Sequence, residues 1–102
     1  MMQEVAILGV GQTPVREHWD LSIRQLAVDA GRAAMADAGV KQVDAIYVSN
    51  MTSGRLNKQR QLGALVADYL GQRGVEAVKL EAACGSAGSA MRQGILAWPA
   101  VR

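Results

Sequence analysis

Val75-Glu76-Ala77-Val78-Lys79-Leu80-Glu81-Ala82-Ala83-Cys84-Gly85-Ser86-Ala87-Gly88-Ser89-Ala90-Met91 changes character midway, and the change sets the fold. Val75 to Leu80 is a run of strand length, whereas from Ala82 onward the residues are small and continue in a helical pattern to about Trp98, before Pro99. The stretch predicts a strand, a turn and a helix, with Cys84 opening the helix.

Working back from that strand, the same kinds of unit recur. Leu62, Leu65, Val66, Tyr69 and Leu70 repeat at helical spacing, with Asn57 placed to cap the helix and Gly71 to end it. Met51 to Leu56 reads as a loop, and Ala45-Ile46-Tyr47-Val48-Ser49 as a strand buried on both faces. Earlier still, Ile23, Leu26, Ala27, Ala30, Ala34 and Ala38 share one face of a helix, with Asp20 as N-cap and Gly39 as left-handed C-cap. Arg24, Asp29, Arg32 and Asp37 fall on its other faces. Val5-Ala6-Ile7-Leu8, closed by Gly9-Val10-Gly11, reads as a first buried strand. The order is therefore βαβαβα. Helices between short apolar strands imply right-handed crossovers, so the predicted class is α/β, a mainly parallel sheet with helices on its faces.

The 102 residues are 50% hydrophobic and 20% charged, which suits one globular domain and excludes two independent cores. Apolar runs such as Ala64 to Ala67 fall far short of the roughly 18 residues of a membrane span. Met1-Met2-Gln3-Glu4 lacks the basic start of a secretion signal, so a cytoplasmic protein without a membrane partner is expected. Eleven basic residues against nine acidic ones leave +2, scattered along the chain, which predicts no nucleic-acid partner. One cysteine and one histidine allow neither an internal disulfide nor a four-ligand metal site within one chain, so no metal is expected.

Four places invite a chemical reading. Gly9-Val10-Gly11-Gln12-Thr13-Pro14 departs from a dinucleotide fingerprint, because Pro14 holds the third glycine position and the helix begins only near Leu21; its glycines read as structural. His18, between Glu17 and Trp19, reads as a solvated or loop-packing histidine. Arg55, Lys58 and Arg60 gather at the start of the second helix, where cations oppose the macrodipole; they could meet an anion but read more simply as solvated. Cys84 stands where helix-start amides and the dipole stabilise a thiolate, in the strand-turn-helix arrangement of a nucleophile elbow. The glycines after it suit a helix that is buried and closely approached. On spacing alone, Cys84 reads equally as a small buried hydrophobe.

Val78 to Ala90 resembles the nucleophile segment of the thiolase superfamily, closest to the acetyl-CoA acetyltransferases of the sterol-carrier-protein-like thiolase branch. Val5 to Pro14, Ala36-Asp37-Ala38-Gly39-Val40 and Val43 to Val48 resemble the opening elements of the same family, so the likeness covers nearly the whole chain. The resemblance implies a thiolase-type acyltransferase in which Cys84 takes the acyl group as a thioester. It also implies coenzyme A thioesters as substrates, no permanently bound cofactor, Claisen condensation or thiolysis as the chemistry, and a homo-oligomer in the intact family.

Members of the family are several times longer, and their general-base histidine and second cysteine lie in a later half. Ala97-Trp98-Pro99-Ala100-Val101-Arg102 departs from the family pattern. Residues 1–102 are therefore expected to be an incomplete N-terminal thiolase-like domain, inactive alone. Two alternatives stay open: a non-catalytic remnant or interaction module, and a β-ketoacyl carrier-protein synthase relative.

Overall fold

The structure is a computed structural model, and it describes residues 4–51 and 61–97. Its elements are α1 (Ile23–Ala38), β1 (Ala45–Ser49), α2 (Leu62–Tyr69), β2 (Glu76–Leu80) and α3 (Ser86–Ala97). β1 and β2 pair in parallel, with Ala45 opposite Glu76 and Ser49 opposite Leu80. A parallel pair needs a crossover, and α2 lies within the one that joins these strands. The α/β class and the parallel sheet are as the sequence predicts.

α1 ends as expected, with Gly39 at φ 71° and its amide turned back to the carbonyls of the last turn. Its N-cap is Ser22 rather than Asp20. The helix starts at Ile23, so the serine immediately before it has the extended backbone of a cap, and its hydroxyl accepts from the Gln25 amide at 3.1 Å. The residue of α1 that becomes buried is Val28, which lies off the predicted apolar face. Two faces of the helix are in use. Arg24 and Gly31, on the stripe that also carries Val28, meet α2 and the residue after it: the guanidinium lies 4.7 Å from the Tyr69 ring centroid, and Gly31 faces the end of the Leu70 side chain. The second face is the alanine seam predicted from the sequence. Here the chain at Gly9 and Gly11 presses so closely on the backbone of Ala30, Ala34 and Ala38 that a Cβ on either glycine would collide with it. The structural reading of these glycines holds.

That packing explains a correction. Val5 to Leu8 forms no strand, because β1 and β2 pair only with each other among the described residues. The following residues are committed to the helix instead, and the Val10 amide donates to Asp37 Oδ2 at 2.9 Å. Ile7 and Leu8 are each left 72% exposed. The observed order among the described residues is αβαβα, without the predicted first strand.

The core sits under α2, where Leu62, Val66 and Ala67 are buried, together with Val28 of α1. Gly63 makes this seat possible. A Cβ there would stand 2.8 Å from the Val78 carbonyl carbon and 3.0 Å from the Lys79 nitrogen, so the helix touches the strand backbone. Gln61 stands at the N-cap of α2 and makes no side-chain cap bond. Asn57, the Met51 to Leu56 loop beyond Met51, and the tail after Ala97 lie outside the described residues. Gln72 ties the turn after α2 to the one before β1. Its buried amide donates to the Lys41 carbonyl and accepts from the Val43 amide, each at 3.0 Å.

On β1, the Tyr47 hydroxyl is enclosed and makes no hydrogen bond of ordinary geometry among the described residues. Burial, and next the negative charge of Glu76, raise its pKa above the ordinary 10.0. No helix among the described residues is long and apolar enough to cross a membrane.

Three outcomes follow from this packing. Gly63→Ala should cost about 1–3 kcal/mol in urea unfolding, because the added methyl meets strand backbone that cannot turn aside. Gln72→Ala should cost about 1–3 kcal/mol by thermal unfolding, since it strands a buried donor and a buried acceptor together. For Tyr47 the folded state holds its proton at higher pH than the unfolded state does. Its contribution to stability is therefore complete below pH 10 and falls as pH rises from there through the raised value. Tyr47→Phe should remove that component of the alkaline loss and leave stability at pH 7 unchanged or slightly higher, as read from unfolding curves across the alkaline range.

Candidate active site

β2 ends at Leu80 and α3 begins at Ser86, so the chain reverses within a short turn that carries Cys84. Turns this tight demand unusual backbone, and Ala83 provides it with φ 48°, the one non-glycine residue at positive φ among those described. An alanine in the left-handed region costs about 1–2 kcal/mol, so surrounding contacts must hold it there.

They are visible around it. The Ala83 amide donates to the Glu81 carboxylate, and the Ala83 carbonyl accepts from the Ser86 amide at 3.2 Å. The Ser86 hydroxyl donates to that same carbonyl at 2.8 Å and accepts from the Ala82 amide at 2.8 Å. A backbone bond from the Gly85 amide to the Ala82 carbonyl at 2.8 Å closes the turn. Ser86 is 6% exposed, so these bonds are sheltered from competing water.

The result presents Cys84 outward. Among the described residues Cys84 is exposed, unlike the small buried hydrophobe of the alternative reading, and its thiol is open to an incoming reagent. The first turn of α3 follows directly. Its amides at Ala87 and Gly88 have no acceptor within the helix, which makes them donors available to an anion formed at this end.

Two expectations about this segment are corrected. Cys84 precedes the helix instead of opening it, because the turn uses the Gly85 and Ser86 amides before helical bonding begins at Ser89. Nor is α3 buried along its length. It packs mainly on β1, and its other faces are uncovered among the described residues, with Met91 57% and Leu96 55% exposed. Its glycines are not closely approached: a Cβ on Gly88 would meet nothing within 4 Å, and one on Gly94 would make an ordinary contact with the Tyr47 ring.

Between α3, β1 and the opening segment runs an open groove of about 380 Å³, lined by Val5, Ile7, Tyr47, Ala87, Met91 and Ile95 among others. It begins one residue into α3 and does not include Cys84.

The other candidates stay apart from this turn. The His18 ring binds the Pro14 carbonyl through Nε2 at 2.7 Å, the loop-packing role expected of it. Arg55, Lys58 and Arg60 lie outside the described residues. Ser86 and Glu81 are the participants that the sequence reading missed. Serine and glutamate near a strand-to-helix turn are the available signal, since both side chains bond nearby backbone where regular pairing stops.

No family model matches the chain. It is 44% identical over 98 residues to an acetyl-CoA acetyltransferase of Methanothermobacter thermautotrophicus, covering 94% of this chain and 26% of that protein. To the acetyl-CoA acetyltransferase of Methanocaldococcus jannaschii it is 40% identical over 97 residues, covering 93% of this chain and 25% of the relative. Among solved structures it is similar to 3-oxoacyl-(acyl carrier protein) synthase III, FabH, of Pseudomonas aeruginosa PAO1. The TM-score is 0.65 at 27% identity, and the match covers 79% of this chain and 24% of that one. The chain thus spans about a quarter of the length of the relatives it matches. Along nearly its whole length the chain is similar to acetyl-CoA acetyltransferases, and its fold is the thiolase-like α/β arrangement that the resemblance implies.

Proposed function

We propose that this chain carries the acyl-accepting nucleophile of a thiolase-type acyltransferase, with Cys84 as its catalytic residue and coenzyme A thioesters as its substrates. The observation that carries the reading is the outward placement of Cys84 in the turn between β2 and α3, within a chain 44% identical to an acetyl-CoA acetyltransferase.

In the acylation step the Cys84 sulfur attacks the thioester carbonyl carbon, and its proton passes to solvent. The carbonyl oxygen becomes an oxyanion, for which the free amides at the start of α3 are suitable donors. Collapse of that intermediate breaks the bond from carbon to the coenzyme sulfur. The leaving thiolate takes up a proton, and the acyl group remains on Cys84. No permanently bound cofactor is needed for this step.

Condensation requires more. A base must remove a proton from the α-carbon of a second thioester, and donors must hold the resulting enolate oxygen at a fixed position beside the acyl group. His18 binds Pro14 in the opening segment and has no hydrogen bond to the Cys84 turn. The chain by itself therefore performs acylation without condensation. A carrier-protein thioester would meet the same turn, but the higher identity and fuller coverage of the acetyl-CoA acetyltransferases favour coenzyme A.

Incubation of the purified chain with acetyl-CoA should give a single acetyl adduct at Cys84 by peptide mass spectrometry, together with free coenzyme A. Cys84→Ala should reduce both to background, and acetoacetyl-CoA should not form. Absence of the adduct from the folded chain would overturn the assignment, and condensation that depends on Cys84 would overturn the limit placed on it.

A further inference from the structure

We infer that Ser86 is a positioning residue for Cys84, its buried hydroxyl holding the turn in the form that presents the thiol. This inference rests on the reading of Cys84 as the nucleophile.

The case starts from what the turn lacks. Ala83 has no intrinsic reason to adopt φ 48°, and nothing about an alanine side chain can hold it there. A single hydroxyl supplies a constraint by acting in both directions: it accepts from the amide of Ala82, the residue before the strained one, and donates to the carbonyl of Ala83 itself. These bonds fix the orientation of the peptide groups that lead into Cys84. Ser86 can hold them because it is also the first residue of α3 and is almost wholly buried. The turn is thereby referenced to the helix rather than to solvent. Cys84 lies between Ala83, which the hydroxyl holds, and Ser86, which begins the helix, and it is exposed. Glu81 holds the same unit from the strand side, but its side chain is exposed and its bond is open to competition from water. Of the two side chains, the serine is the one able to keep the geometry constant.

Positioning of this kind changes the reaction rate even when the fold survives, since small displacements of a nucleophile from its stabilising donors are costly. A serine that served stability alone would leave the reactivity of the folded state untouched.

Ser86→Thr and Ser86→Val are closely matched in shape and differ in the hydroxyl. In the full chain both should show the same circular dichroism. Ser86→Val should react about tenfold more slowly than Ser86→Thr at Cys84, both with iodoacetamide and with acetyl-CoA. The coupling between amide and α-proton of Ala83, which reports φ, should depart from the parent value in the valine variant alone. Equal rates in two folded variants would overturn the inference. Should neither variant fold, hydrogen exchange in the unaltered chain decides: an Ala82 amide protected well beyond an unstructured peptide supports the clasp, and one that exchanges at the unstructured rate overturns it. The two readings fail separately. If the parent chain takes no acetyl group while iodoacetamide still separates threonine from valine, the acyltransferase reading falls and the role of Ser86 stands.

Discussion

Helix against strand backbone at Gly63 is the contact on which the rest of this structure depends. Parallel strands cannot pair through a tight turn, so β1 and β2 come together only if the connection between them packs well enough to offset its ordering. α2 does this by bringing its own backbone down onto Val78 and Lys79 at the one position without a side chain. Leu62, Val66 and Ala67 are thereby buried, and they make up most of the small apolar core. α1 is then added against α2, with Arg24 lying over Tyr69, and the opening segment is added against α1 through Gly9 and Gly11. Each layer rests on the one before it.

The turn at Cys84 inherits its position from that stack. β2 is held by β1 on one side and by α2 above it, so Leu80 delivers the chain to a fixed point. From there, the reversal into α3 is determined by a few hydrogen bonds in place of apolar packing, and Cys84 is left exposed. The division suits the nucleophile proposed at Cys84. Apolar burial would shield it from a substrate, whereas polar clasps on the neighbouring backbone fix its place and leave the sulfur open.

What could be read from the sequence follows from which signals are local. Ala45 to Ser49 was legible as a strand, because five residues of that composition between loops leave little choice. Gly39 and Gly71 were legible as helix terminators, and both adopt positive φ. Val5 to Leu8 has the same apolar look as β1 and forms no strand, since pairing depends on a neighbour elsewhere in the chain and composition says nothing about which neighbour is available. The burial of Val28 was hidden for a similar reason: periodicity identifies one face of α1, and the helix uses two. At the site, the cysteine and its strand-to-helix setting were evident. The clasp was not, because side-chain bonds to backbone two to four residues away leave no periodic trace.

The parallel pairing of β1 with β2 also bears on how the chain reaches its fold. Every bond of that ladder joins residues far apart in sequence, so none can form early as a hairpin does. Loop closure must be met first, and helix contacts are the means available to lower its cost. α1, with its serine cap and long alanine seam, can form locally and offer a surface for α2. Pairing of the two strands completes the rigid end of β2. The turn at Cys84 therefore depends on long-range pairing, and a chain that has not paired its strands holds Cys84 in no defined geometry.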